Sequence, residues 1–64
     1  MNNTKLTSVK MLENLYRKFK VKTINSSMTF QKLANRSINL YLNDEEFKSQ
    51  VESYDDLTVS GSNF

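Results

Sequence analysis

Residues 33–42 have the sequence LANRSINLYL, and this stretch sets the fold class. Its apolar side chains recur at steps of three and four positions, which is the spacing of one face of an α-helix. They are Leu33, Ala34, Ile38, Tyr41 and Leu42. Thr29, with Ser27 as the competing residue, can cap this helix, because a side-chain oxygen there accepts a hydrogen bond from a free amide of the first turn. The pattern predicts an amphipathic helix over residues 29–42.

The sequence before this helix carries a second apolar stripe. Four apolar residues follow one another at i, i+3, i+4 and i+7, and they are Leu12, Leu15, Tyr16 and Phe19. This spacing predicts a first helix over residues 10–22. The clearest turn signal of the chain, Asn-Ser-Ser at residues 25–27, separates the two helices. Residues 3–8, centred on Leu6, alternate without helical spacing and predict a short strand.

The sequence after residue 42 predicts a further helical segment. Residues 43–46 are Asn-Asp-Glu-Glu, which combines a capping residue with acids in the first turn and a glutamate at its third position. Phe47, Val51 and Tyr54 then fall at i, i+4 and i+7. We expect either a short third helix or a bent continuation of the second one over residues 44–54. Residues 57–64 have no period and predict a loose tail.

Length and composition limit the function. The chain has 64 residues, with no cysteine and no histidine. So short a chain, without a disulfide or a metal, can build only a small core that provides little stability. We therefore expect it to associate with a second copy, which enlarges the core. The missing residue types exclude a cysteine nucleophile, an imidazole base and a thiolate or imidazole metal site, so we expect no enzyme and no cofactor. No apolar run approaches about 18 residues and no leader pattern is present, which predicts a cytoplasmic protein with no membrane segment.

Charge is divided unevenly along the chain, although the formal net charge is only +2. Residues 1–40 hold eight Lys and Arg residues and one acid, Glu13, a net charge of +7. Residues 41–64 hold one basic residue, Lys48, and six acids, a net charge of −5. A basic body followed by an acidic tail is typical of a protein that binds a polyanion with one end, although two solvated faces that balance each other would give the same division.

Residues 3–42 resemble the ribbon-helix-helix family, the MetJ/Arc type of DNA-binding dimer. Leu6 stands six positions before Leu12, as the inward strand residue of that family does, and residues 33–42 are similar to the run that ends its second helix. The resemblance implies a mostly α-helical homodimer in which the N-terminal strands of two chains pair as an antiparallel ribbon. It implies a DNA-binding and dimerisation domain over residues 1–43, followed by an acidic short helix and flexible tail over residues 44–64.

The ribbon of this family enters the major groove, so the resemblance also implies base contacts. If Leu6 points into the dimer core, alternation along the strand turns Asn3, Lys5 and Thr7 outward. Lysine can donate to guanine, asparagine can bond adenine, and threonine offers a methyl group to thymine.

The remaining site residues come from the resemblance and from the charge pattern. The resemblance implies that the amides at the start of the second helix clamp a DNA phosphate, which carries over to Ser27, Met28 and Thr29. Lys10 and Lys32 are the lysines that we expect on the phosphate backbone. The expected dimer core combines the apolar positions of the strand and the two helices, which are Leu6, Leu12, Leu15, Tyr16, Phe19, Leu33, Ala34, Ile38, Tyr41 and Leu42.

These features predict a sequence-specific repressor of transcription that binds double-stranded DNA as a homodimer in a bacterial, archaeal or phage-infected cell. An antitoxin or a plasmid partition protein of the same fold is an alternative. A different class of protein also fits, namely a small helical protein that binds a protein partner and has no DNA readout. The acidic segment is then either a solvated C-terminus or a contact for a protein partner or a neighbouring dimer on DNA.

Overall fold

The computed structural model describes residues 3–59 and 62–63. Three helices succeed one another, and they are α1 (Glu13–Lys22), α2 (Phe30–Asn43) and α3 (Glu45–Glu52). Two short strands follow, β1 (Thr58–Val59) and β2 (Ser62–Asn63). They pair antiparallel, with Thr58 opposite Asn63 and Val59 opposite Ser62.

The predicted helices are confirmed, with small shifts at their ends. Thr29 caps α2, because its side chain accepts a hydrogen bond from the amide of Lys32 at 3.1 Å. Leu12 stands at the cap position of α1 and has no polar side chain to accept one, so this helix begins later than the apolar stripe suggests. Lys22 ends α1, where a cation interacts favourably with the negative end of the helix dipole.

A single residue, Asp44, separates α2 from α3. Its backbone is extended, with φ −129° and ψ 107°, so the third segment is a separate helix rather than a continuation of α2. One carboxylate oxygen of Asp44 accepts hydrogen bonds from the amides of Glu46 and Phe47, at 3.0 and 3.2 Å. The capping residue of α3 is therefore Asp44, one residue after Asn43, which the sequence predicts as the cap.

The predicted N-terminal strand is wrong. Residues 3–12 are neither helix nor strand, and Leu6, the expected inward residue, is 98% exposed. A strand obtains its backbone hydrogen bonds from a neighbouring strand, and residues 3–11 make no backbone hydrogen bond to another described residue. The ribbon-helix-helix fold expected from the resemblance is therefore corrected to three helices without an N-terminal ribbon.

The described chain has no buried core. None of residues 3–57 is buried. α3 packs beside α2, whereas no Cα of α1 lies within 8 Å of a Cα of α2. The chain exposes 6354 Å², although a compact monomer of its mass, 7.5 kDa, would expose about 4,200 Å². This open arrangement leaves the apolar faces of the helices available to another molecule.

Candidate nucleic-acid interface

The surface of α1 is strongly basic. Its one acid, Glu13, lies 3.6 Å from Arg17, which also donates a 3.4 Å hydrogen bond to Asn14. The ammonium group of Lys20 stands 5.9 Å from the centre of the Tyr16 ring, which is within the range of a cation–π contact. Two further lysines of α1 have no ion-pair partner among the described residues, and they are Lys18 and Lys22. This helix therefore presents more positive charge than its own acid can balance.

The N-terminal segment adds cations and polar groups to the basic body. The residues expected to contact bases, Asn3, Lys5 and Thr7, are all exposed on it. Lys10 is exposed on the same segment, and neither lysine has an ion-pair partner among the described residues. Because the segment is not a strand, alternation no longer assigns these side chains to one face, and their role as base contacts stays a prediction.

The loop before α2 and the first turn of α2 hold four of the five residues expected to bind phosphate, and the structure brings these four together. The ammonium group of Lys32 donates a 2.8 Å hydrogen bond to the carbonyl oxygen of Ser27. The amide of Met28 donates to the hydroxyl of Ser26 at 3.0 Å, and Thr29 caps the helix as described above. These contacts stabilise the loop within the chain, while Lys32 keeps two of its three N–H donors for other acceptors.

The residues expected in the dimer core divide into two groups in the single chain. Four are half-buried, and they are Leu12, Phe19, Ala34 and Tyr41. The other six are exposed, and they are Leu6, Leu15, Tyr16, Leu33, Ile38 and Leu42. The burial of the other nine between two chains stays a prediction, whereas the place of Leu6 in that core depended on the N-terminal strand and is corrected with it.

An apolar groove of about 370 Å³ runs between α1 and α2. Five apolar side chains line it, and they are Met11, Leu15, Phe19, Phe30 and Leu33. Lys18 and Lys22 complete its walls with the aliphatic stems of their side chains, so that their ammonium groups stand at its edge. We call this feature the α1–α2 groove. Phe19 also lines a second groove, of about 470 Å³, on the side of the loop.

Side chains of α2 and α3 form a polar clasp that the sequence pattern did not indicate. The hydroxyl of Tyr41 donates a hydrogen bond to a carboxylate oxygen of Glu52, and the other oxygen lies 3.8 Å from the ammonium group of Lys48. That ammonium group is 5.9 Å from the centre of the Tyr41 ring. The hydrogen bond to Glu52, together with desolvation and the negative charge of that carboxylate, raises the pKa of Tyr41 above its ordinary value of 10.0.

The clasp is expected to open at high pH. Because the folded chain raises the pKa of Tyr41, the stabilisation by its hydroxyl is complete below pH 10.0 and is lost as the pH rises through the raised value. The ring carbon signals of Tyr41, followed by NMR against pH, should show this late titration. In Glu52→Ala they should titrate earlier, because the hydrogen bond to Glu52 and the negative charge of its carboxylate are both gone. An unchanged titration in that variant would contradict the clasp.

Two kinds of site are not found in the part of the chain that the structure describes. No group of Asp and Glu residues there could hold a metal ion. Within the same residues, no helix has both the length and the apolarity needed to cross a bilayer. Comparison of the chain with family models, with curated proteins and with solved structures yields no match. The class of protein must therefore be inferred from the surfaces described above.

Proposed function

We propose that this protein is a regulator of transcription, without enzymatic activity, that binds double-stranded DNA as a homodimer in the cytoplasm. The observation that carries this proposal is the separation of charge in the folded chain. Glu13, the one acid of residues 1–40, is already paired with Arg17. Five exposed cations of the same part have neither an ion-pair partner nor a cation–π contact among the described residues, and they are Lys5, Lys10, Lys18, Lys22 and Arg36. DNA phosphates would supply the missing negative charge.

The acids around α3 interact with groups of the folded chain. Asp44, Glu45 and Glu46 stand at the start of α3, where acids interact favourably with the positive end of the helix dipole. Glu52 is held in the clasp with Tyr41. These interactions partly offset the negative charge that would repel a polyanion from the basic part of the chain.

Sequence preference would come from the N-terminal segment. Lys5 can donate to guanine, Asn3 can bond adenine at two positions, and the methyl group of Thr7 can contact thymine. The segment is exposed and is neither helix nor strand, so its side chains are free to meet base edges in a groove, and it would become ordered on binding.

The exposed area supports association with a second copy. The chain exposes about 2,100 Å² more than a compact monomer of its mass. A standard protein–protein interface covers about 800 Å² on each partner. A second copy could thus cover a full interface and still leave the basic N-terminal segments in solvent.

Selection of duplexes from a random pool tests this function directly. At low salt the wild-type protein is expected to enrich a common sequence, and Lys5→Ala or Thr7→Ala is expected to change which sequence is enriched. Lys48→Ala is the matched control, because it removes the same charge as Lys5→Ala from the acidic part of the chain. Failure of the wild-type protein to retain any duplex under these conditions would overturn DNA binding.

A second candidate function is binding of a protein partner in place of DNA. The observation in its favour is the apolar surface of α2, where Ile38 is 60% and Leu42 71% exposed. Side chains of this kind cost free energy in water and stabilise a complex when a partner covers them. A dimer in solution that retains no duplex would favour this function over the first.

A further inference from the structure

We propose that the α1–α2 groove of one chain binds the acidic segment, residues 45–57, of a second copy, and that the second copy returns the same contact. This exchange rests on the proposed homodimer and names the surfaces that form it. It also divides the cations of the basic body, because Lys18 and Lys22 then serve the dimer rather than DNA.

The groove has the properties of a site for an apolar ridge bordered by negative charge. Its floor consists of apolar side chains, among them Leu15, Phe19 and Leu33. Its edge carries the ammonium groups of Lys18 and Lys22, neither of which has an ion-pair partner among the described residues. An apolar side chain in the groove would lose its contact with water, while a carboxylate beside it would meet a lysine.

The acidic segment has the complementary properties. Phe47, Val51 and Tyr54 form one stripe along α3 and its end, and Val51 and Tyr54 remain 48% and 58% exposed. Glu46 lies beside this stripe on the helix, and Asp56 follows it in the chain. Residues 41–64 as a whole carry a net charge of −5. The segment therefore offers the apolar ridge and the negative charge that the groove lacks.

The segment of the same chain cannot fill the groove while the corner at Asp44 is intact. The groove meets α2 at Phe30 and Leu33, near its start. The clasp holds α3 against Tyr41, which lies about 12 Å further along the helix axis than Leu33 at the rise of an α-helix. Since α3 packs at the other end of α2, the groove is left to the segment of a second copy.

Reciprocal exchange closes the assembly at two chains. Each chain would give one segment and accept one, so the two contacts are related by a two-fold axis. Insertion in one direction only would leave a groove open at one end and a segment free at the other, and chains would then add without limit. The area available agrees with the closed form, because about 2,100 Å² of excess surface exceeds the roughly 800 Å² that each partner buries in a standard interface.

Charge reversal with rescue tests the exchange, with the full chain and no DNA present. One variant carries Lys18→Glu and Lys22→Glu, and the other carries Glu46→Lys and Asp56→Lys. Each variant alone places like charges across both contacts, so its dimer dissociation constant is expected to rise at least about tenfold. A mixture of the two variants restores opposite charges at both contacts and is expected to form a heterodimer close to wild-type affinity.

A control variant reverses the same amount of charge at a place outside the groove. Lys5→Glu with Lys10→Glu makes the same change of charge outside the groove and is expected to leave the dimer intact. Sedimentation equilibrium measures all of these masses. An unchanged dimer in the Lys18 and Lys22 variant, a mixture that does not recover, or wild-type particles larger than a dimer would each overturn the exchange. The duplex selection described above is a separate measurement. If the exchange fails but a duplex is still selected, DNA binding stands and only the exchange is overturned. If the exchange holds but no duplex is selected, only DNA binding is overturned.

Discussion

Phe19→Ala is expected to abolish the helical fold at micromolar concentration. Phe19 is half-buried and lines both the α1–α2 groove and the groove beside the loop, so it touches the apolar surface on both sides of α1. Removing a large aromatic side chain from a covered apolar site costs about 3 kcal/mol or more. A dimer of small chains has only a few kcal/mol to lose. Far-ultraviolet circular dichroism, recorded over a range of protein concentrations, measures the loss.

Leu6→Ala is the matched control for this prediction. Leu6 is equally apolar and lies in the same basic body, but at 98% exposure it contacts almost nothing. Its truncation is expected to change the free energy of unfolding by less than about 0.5 kcal/mol. The wild-type protein should also lose helix on dilution, because a chain with no buried side chain among residues 3–57 depends on its partner to stay folded. A helix signal as strong as that of the wild-type protein in Phe19→Ala at micromolar concentration, or a large effect of Leu6→Ala, would contradict the role given to Phe19.

The helices could be predicted because their signals are local. The apolar stripe of α2 and the hydroxyl of Thr29 lie within one or two helical turns of each other. Short-range sterics and capping therefore determine that the helix forms and where it begins. The sequence does not distinguish a separate third helix from a bent continuation of α2, because a capping signal and a bend look alike in sequence. The extended backbone of Asp44, with its carboxylate on two amides of α3, resolves the question.

The N-terminal strand could not be predicted in the same way. Alternation around Leu6 indicates that a strand is compatible with the side chains, but a strand forms only where a second strand supplies hydrogen bonds. Residues 3–11 have no such neighbour among the described residues. Alternation is thus compatible with a strand but is not sufficient to form one. A capped helix differs, because its hydrogen bonds lie within the same stretch of sequence.

Polar contacts between helices and loops could not be predicted from the sequence either. Tyr41 and Glu52 are eleven residues apart, and their hydrogen bond depends on the angle at which Asp44 sets α3 against α2. The bond from Lys32 to Ser27 uses a backbone carbonyl, which every residue type has. The sequence analysis names both Lys32 and Ser27 as phosphate contacts, but the contact that joins them carries no residue-type signal.

DNA affinity is expected to fall about a thousandfold between roughly 50 and 200 mM salt, because each neutralised phosphate releases counterions. Three cations per chain stay available for phosphates when Lys18 and Lys22 serve the dimer, Lys20 lies on the Tyr16 ring and Lys5 contacts a base, and they are Lys10, Lys32 and Arg36. Six cations in a dimer give a slope of about −5 in the plot of log affinity against log salt. Fluorescence anisotropy with a labelled duplex measures this slope.

Substitutions separate DNA contacts from net charge. Lys10→Ala removes two of the six phosphate contacts per dimer and is expected to reduce the steepness of the slope by about 2. Lys48→Ala removes the same charge from the acidic side, where Lys48 lies 3.8 Å from Glu52, and is expected to leave the slope unchanged. If both variants lowered the slope equally, attraction would depend on the total charge of the protein and not on the N-terminal segment. A slope that distinguishes Lys10 from Lys48 therefore locates the DNA contact on the basic body, because salt screens both variants to the same degree and their net charge is identical.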